Sequence, residues 1–115
     1  MYRISNEVEN SLLSLYTWVD QVPLSRPKQS IARDFSDGVL FSEVCAFFCP
    51  WLVELHNYSN RSSRADKTEQ WACMNRKVLK HLDMVVPGPD VQDIIGCKAG
   101  AIEKQLGVLK DKVEA

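Results

Sequence analysis

Apolar residues in this chain recur at helical spacing in four separate stretches, and nowhere do they alternate as a half-buried strand requires. Val8, Leu12, Leu15, Tyr16 and Val19 fall on one face at ~100° per residue, with Leu13 and Trp18 off it. A helix apolar nearly all round reads as a central one. Leu40, Val44, Phe47 and Phe48 make a second stripe, with Val39 and Phe41 beside it. Trp71, Met74, Val78 and Leu82 make a third. Ile102, Leu106, Leu109 and Val113 make the fourth, either a closing helix or the start of a coiled coil. Four such stripes without a hairpin signal restrict the fold to all-α: a bundle of four main helices plus one or two short ones. With 115 residues and 45% apolar content, one domain can bury its own core. That core is predicted to draw on Leu12, Trp18, Val19, Leu40, Val44, Phe47, Trp71, Val78, Leu82, Ile102 and Leu106.

Local signals mark the boundaries. Asn6 with Glu9 resembles a capping box, so the first helix is predicted to start at Ser5 or Asn6 and to end near Asp20, before Pro23. Residues 21–33 read as a basic loop stiffened by Pro23 and Pro27, with room for one turn of helix. In the run Arg33-Asp34-Phe35-Ser36-Asp37-Gly38-Val39-Leu40, Ser36 is a candidate N-cap and Asp37 suits the positive end of the helix dipole. Pro50 closes that helix, and residues 51–65 form a long loop whose Trp51, Leu52, Val53, Leu55 and Tyr58 are expected to pack down. Asp66 and Glu69 flank the start of the third long helix as a cap and its N3 acid. Pro87-Gly88-Pro89 breaks the chain, and a short helix covers Asp90 to Ile95.

Charge is segregated along the chain although the formal net charge is only −1. Residues 26–33 carry Arg26, Lys28 and Arg33 and no acid. Residues 34–60 carry Asp34, Asp37, Glu43 and Glu54 and no Lys or Arg. Residues 61–80 carry six bases against two acids. Such blocks create local fields that a net charge hides. On a helix counted from Trp71, Arg76, Lys77 and Lys80 fall at ~140°, ~240° and ~180°, together on the face opposite the core.

Other chemistries find little support. Cys45 and Cys49 share a helix face, but no second Cys/His pair at zinc-finger spacing follows, so these two read as core thiols rather than metal ligands, and the four cysteines do not make a disulfide framework. They are expected to be reduced, in an intracellular compartment. His56 and His81 stand beside no nucleophile motif, so no catalytic residue is expected. Gly38 has no phosphate-loop companions and reads as a turn or packing glycine. Asn75, near the apolar face of its helix, is expected to satisfy a buried backbone group. Trp18, Trp51 and Trp71 sit in apolar surroundings and read as core rather than base-stacking residues. No apolar run approaches the ~20 residues of a transmembrane helix. No cofactor, nucleic-acid or membrane partner is expected.

The landmarks together carry a resemblance. Leu15-Tyr16-Thr17-Trp18-Val19, then Asp34-Phe35-Ser36-Asp37-Gly38-Val39-Leu40, then Asn75-Arg76-Lys77-Val78-Leu79-Lys80 and the Val86-Pro87 step resemble a calponin-homology domain over about residues 11–110. With Leu24-Ser25-Arg26-Pro27-Lys28 and Glu54-Leu55-His56-Asn57-Tyr58 added, the series looks like the sperm flagellar protein 1 family. The resemblance implies one calponin-homology domain over 1–115 (core about 6–113), the N-terminal part of a longer protein that self-associates through a C-terminal coiled coil. It implies binding, bundling and stabilising of microtubules in the axonemal central pair of cilia and flagella. The isolated domain is expected to be a monomer without catalytic activity. Microtubules present an acidic surface, so Arg26, Lys28, Arg33, Arg76, Lys77 and Lys80 are the candidate contacts, steered by charge and sensitive to salt. Arg33 has a structural alternative, pairing with Asp34 or Asp37 to hold the turn. Actin binding and an adaptor groove that takes a partner helix are the rival functions.

Overall fold

The computed structural model describes the backbone of residues 2–26 and 29–114, with side chains from residue 11 onward in those ranges. Among them the chain is all-α. Four main helices, α1 (Tyr2–Asp20), α3 (Val39–Phe48), α4 (Arg64–Lys77) and α6 (Ala101–Glu114), are joined by the short α2 (Ile31–Asp34) and α5 (Gly88–Ile95). Three 3-10 turns, Pro50–Leu52, Leu55–Asn57 and Leu79–Leu82, fill the loops.

The central helix is α6, not α1. It packs against α1, α2, α3 and α5, and its Ile102, Leu106 and Leu109 are fully enclosed. α1 buries one face, Leu15, Trp18 and Val19, with Val22 buried just after it, while Leu13 lies open to solvent. Leu12, predicted in the core, is exposed: it lies one turn upstream of Leu15, where α1 and α6 line an open groove. α1 already runs at Tyr2, so Asn6 is inside the helix and not at its cap. The side chains of Asn6, Val8 and Glu9 lie outside the described residues.

Phe47 is a second correction. The buried arc of α3 includes Leu40, Phe41, Val44 and Cys45, with Phe48 stacked on Trp18 at 4.8 Å. Phe47 is left on the outer edge, about half exposed. Trp51 is a third: its turn presents the indole to solvent at 77% exposure, and Leu55 beside it is also open. Tyr58 does pack down. Burial and the neighbouring Cys73 thiol push its phenol up to about 12. Leu82 is only partly buried, against the edge of the core.

Two caps differ from expectation. α4 starts at Ser63, whose hydroxyl accepts from the Asp66 N–H at 3.1 Å, so Asp66 is the acid of the first turn and not the cap. α4 ends as an α-helix at Lys77 instead of running to Leu82. Val78 takes φ −122° and ψ −61°, and the chain tightens into the 3-10 turn. Asn75 acts as expected: its amide donates to the Val86 carbonyl at 3.0 Å and accepts from the Val86 N–H at 2.9 Å. This two-pronged bond pins the stretch after Asp83, whose own φ is +57°, back onto α4.

The basic surface and the turn behind it

The turn from Asp34 to Gly38 is built around the Asp37 carboxylate. Ser36 and Asp37 are buried, and Gly38 has φ +88°. A side chain there would be strained, and its Cβ would meet the Met74 methyl at 3.0 Å. The N-cap of α3 is Gly38 and not Ser36, and the preceding Asp37 accepts from the Val39 N–H at 3.1 Å through Oδ1. Ser36 faces α4 instead. Its carbonyl accepts from the Trp71 indole at 3.0 Å and its hydroxyl oxygen from Lys67 Nζ at 3.1 Å.

The same residue gathers three further segments. Asp37 Oδ1 pairs with the Arg26 guanidinium at 3.2 Å, which also donates to the Asp34 carbonyl at 3.1 Å. Asp37 Oδ2 accepts from the Arg61 N–H at 3.3 Å. The Asp37 carbonyl accepts from Gln70 Nε2 at 2.6 Å, and Gln70 Oε1 takes the Ser59 N–H and Arg61 Nε. Gln70 is buried on α4. A buried charge needs such partners, because an unpaired one is costly.

Asp34 closes the other side of the turn. Its Oδ2 accepts from the Gln29 N–H at 2.7 Å and the Ser30 N–H at 3.0 Å. Partial burial alone would raise this carboxyl. The two N–H groups, with Arg33 and Arg26 nearby, outweigh it and hold the carboxyl below its ordinary value.

The candidate contact residues therefore sit in different circumstances. Arg26 is tied into the turn. Arg33 is exposed, and its side chain makes no hydrogen bond or salt bridge among the described residues; Arg26 occupies the place beside Asp37. Lys28 and Pro27 lie outside the described residues. Arg76 is exposed and approaches the equally exposed Glu69 at 3.7 Å. Lys77 and Lys80 are exposed, with no hydrogen bond or salt bridge among the described residues. They point outward from different elements, Lys77 from the end of α4 and Lys80 from the 3-10 turn after it.

Two groups result. Arg26 and the turn meet α4 at Lys67, Gln70 and Trp71. Arg76 and Lys77 lie toward its far end, where Lys77 borders Leu52, Glu54, Asn57 and Tyr58. Gln70 and Lys77 are about 10 Å apart along the axis at 1.5 Å per residue. Sequence reasoning missed Arg61 and Gln70 as members of the turn. A glutamine next to Trp71 at the margin of the apolar face was the available signal.

Elsewhere the chemistry is quiet. Burial pushes the Cys45 and Cys49 thiols up, away from the reactive thiolate. His56 lies 3.6 Å from Glu54 in open solvent. Among the described residues no three His, Cys, Asp or Glu side chains converge as metal ligands would. No described helix is long and apolar enough to cross a membrane.

Comparison with known proteins adds a direct finding. A family described as "CH-like domain in sperm protein" matches residues 15–111. Sperm flagellar protein 1 of Xenopus laevis is 48% identical over 106 residues, covering 92% of this chain and 46% of the relative. The Homo sapiens protein of the same name is 46% identical over 106 residues, covering 92% and 45%. The chain thus spans a little under half the length of these relatives.

Proposed function

This chain belongs to the family of CH-like domains in sperm proteins, and we propose that its task is to bind microtubules. Its place would be in the flagellar or ciliary cytoskeleton, on the axonemal central pair. In this reading it is a non-catalytic calponin-homology module and the N-terminal part of a longer protein. A C-terminal coiled coil would supply self-association, and with it the bundling of filaments.

One observation carries the reading. Arg33, Lys77 and Lys80 project from their elements and make no hydrogen bond or salt bridge among the described residues. Free cations on a rigid support suit an acidic lattice, since little side-chain pairing has to be broken on contact. Arg76 joins them, because an exposed pair with Glu69 is weak and exchangeable. Arg26 takes a positioning role: it holds the turn from which Arg33 projects.

Co-sedimentation tests this with microtubules and actin filaments in parallel. Arg33→Glu should weaken pelleting with microtubules. Lys77→Glu combined with Lys80→Glu should weaken it roughly tenfold, the scale of losing two exposed ion pairs and adding two repulsions. Far-UV circular dichroism should stay unchanged in these variants. Pelleting that survives all three reversals would move the contact elsewhere, and preferential pelleting with actin would replace the reading. The adaptor reading is favoured by a separate observation, the exposed apolar side chains after α3.

A further inference from the structure

Three of the large apolar side chains exposed among the described residues, Phe47, Trp51 and Leu55, fall within nine residues of one another. Isolated exposed leucines are ordinary, but a cluster is not. They lie at the end of α3 and on the two 3-10 turns that pack against it. Phe47 and Leu55 line a groove of about 380 Å³ with Val22, Pro23 and Ala46. That volume takes one or two large apolar side chains.

The charge that lines this groove is acidic. Glu43 is the charged residue lining it among the described residues. Its two oxygens accept from the N–H and the hydroxyl of Ser25, which fixes the carboxylate at the rim. Glu54, next to Leu55, adds a second exposed carboxylate, and no Lys or Arg occurs from residue 34 to 60. A microtubule is acidic, so this face is the wrong sign for the lattice. Lys77 borders Glu54 on one side of this region, but among the described residues none of the basic contact candidates lines the groove itself.

We propose that the Phe47–Leu55 face is a docking site for an amphipathic basic helix of a partner protein. Apolar side chains of that helix fill the groove, and flanking Lys or Arg side chains meet Glu43 and Glu54. Apolar anchors supply the affinity of such a contact, and charge at the rim sets its register and excludes acidic competitors.

Trp51 makes the test direct. Trp18 and Trp71 are buried and Trp51 is 77% exposed, so acrylamide-accessible fluorescence comes from Trp51, on the turn between Phe47 and Leu55. The 115-residue chain is titrated, without filaments, with a synthetic amphipathic peptide of leucine and lysine, leucine placed at a and d spacing. A matched peptide carries glutamate in place of lysine. The expected result is saturable protection of Trp51 from acrylamide by the lysine peptide and none by the glutamate peptide. Phe47→Ser and Leu55→Ser should each weaken that binding about tenfold, as loss of a central apolar anchor does. Both positions are exposed, and circular dichroism checks that both variants fold. No protection by the lysine peptide overturns the proposal, as does equal binding of both peptides. So does concentration-dependent dimerisation in sedimentation that Leu55→Ser abolishes, which would assign the face to a second copy of this chain. Microtubule pelleting of Leu55→Ser should match the parent, which separates this inference from the microtubule reading.

Discussion

A single carboxylate, Asp37, shows how much of the surface depends on one residue. Charge segregation was legible in the sequence, and so was the family resemblance of the run around it. The partners were not. Sequence reports that Arg26, Arg33 and Arg61 are basic, but which of them reaches Asp37 is decided by how residues 58–61 and α4 fold over the turn. The same holds for the cap: Ser36 is a good N-cap residue by type, but it is held by Trp71 and Lys67, and α3 starts two residues later at the cap Gly38, with Asp37 accepting from the Val39 N–H. Asp34 yields a prediction. Its carboxyl sits below the ordinary 3.8 in the folded chain, so its charged form contributes stability above that value. This contribution is lost as pH falls through the lowered folded value. Asp34→Asn should therefore lower stability at neutral pH by roughly 1 kcal/mol, a typical hydrogen-bond worth. It should also flatten the fall of the thermal midpoint below about pH 4. An acid limb identical to the parent's would place that titration on other groups.

Secondary-structure elements were read well wherever periodicity and a breaker agreed. α3 stops before Pro50, α5 follows Pro87, and α6 carries its predicted stripe. The failures have physical causes. No proline or glycine marks the end of α4; the turn at Val78 is imposed by Asn75 and the returning chain. Periodicity also cannot say how far a stripe stays covered, so Leu12 and Phe47 lie beyond the edges of their partners. The Asn75 clip tests the first point. Asn75→Ala leaves the N–H and carbonyl of Val86 without their partner, and Val86 is 1% exposed. The expected cost is about 2–3 kcal/mol. For a chain of this size that lowers the thermal midpoint by roughly 10 °C. Asn75→Asp retains the acceptor and should fall between the two. A midpoint within a degree or two of the parent for Asn75→Ala would mean that water replaces the clip.

Across the whole molecule, the formal charge of −1 conceals local groups of each sign. The basic side chains flank α4, while the apolar groove with its carboxylates lies beside α3. The electrostatic part of this arrangement responds to salt. Screening shortens from about 8 Å at physiological ionic strength to 3 Å at 1 M, so exposed contacts weaken steeply over that range. Microtubule pelleting of the 115-residue chain should decline progressively with added salt, and unaltered pelleting would contradict a surface made of Arg33, Arg76, Lys77 and Lys80.

The central position of α6 has a consequence for synthesis. Tyr16 of α1 donates to Glu103 of α6 at 2.9 Å, across a separation of 87 residues. At a translation rate of about 5–20 residues per second, roughly 4–17 s pass between the making of these two partners. For that interval Trp18 and Val19 have been made without the helix they lie against. The nascent chain cannot close its core until the last helix leaves the ribosome tunnel.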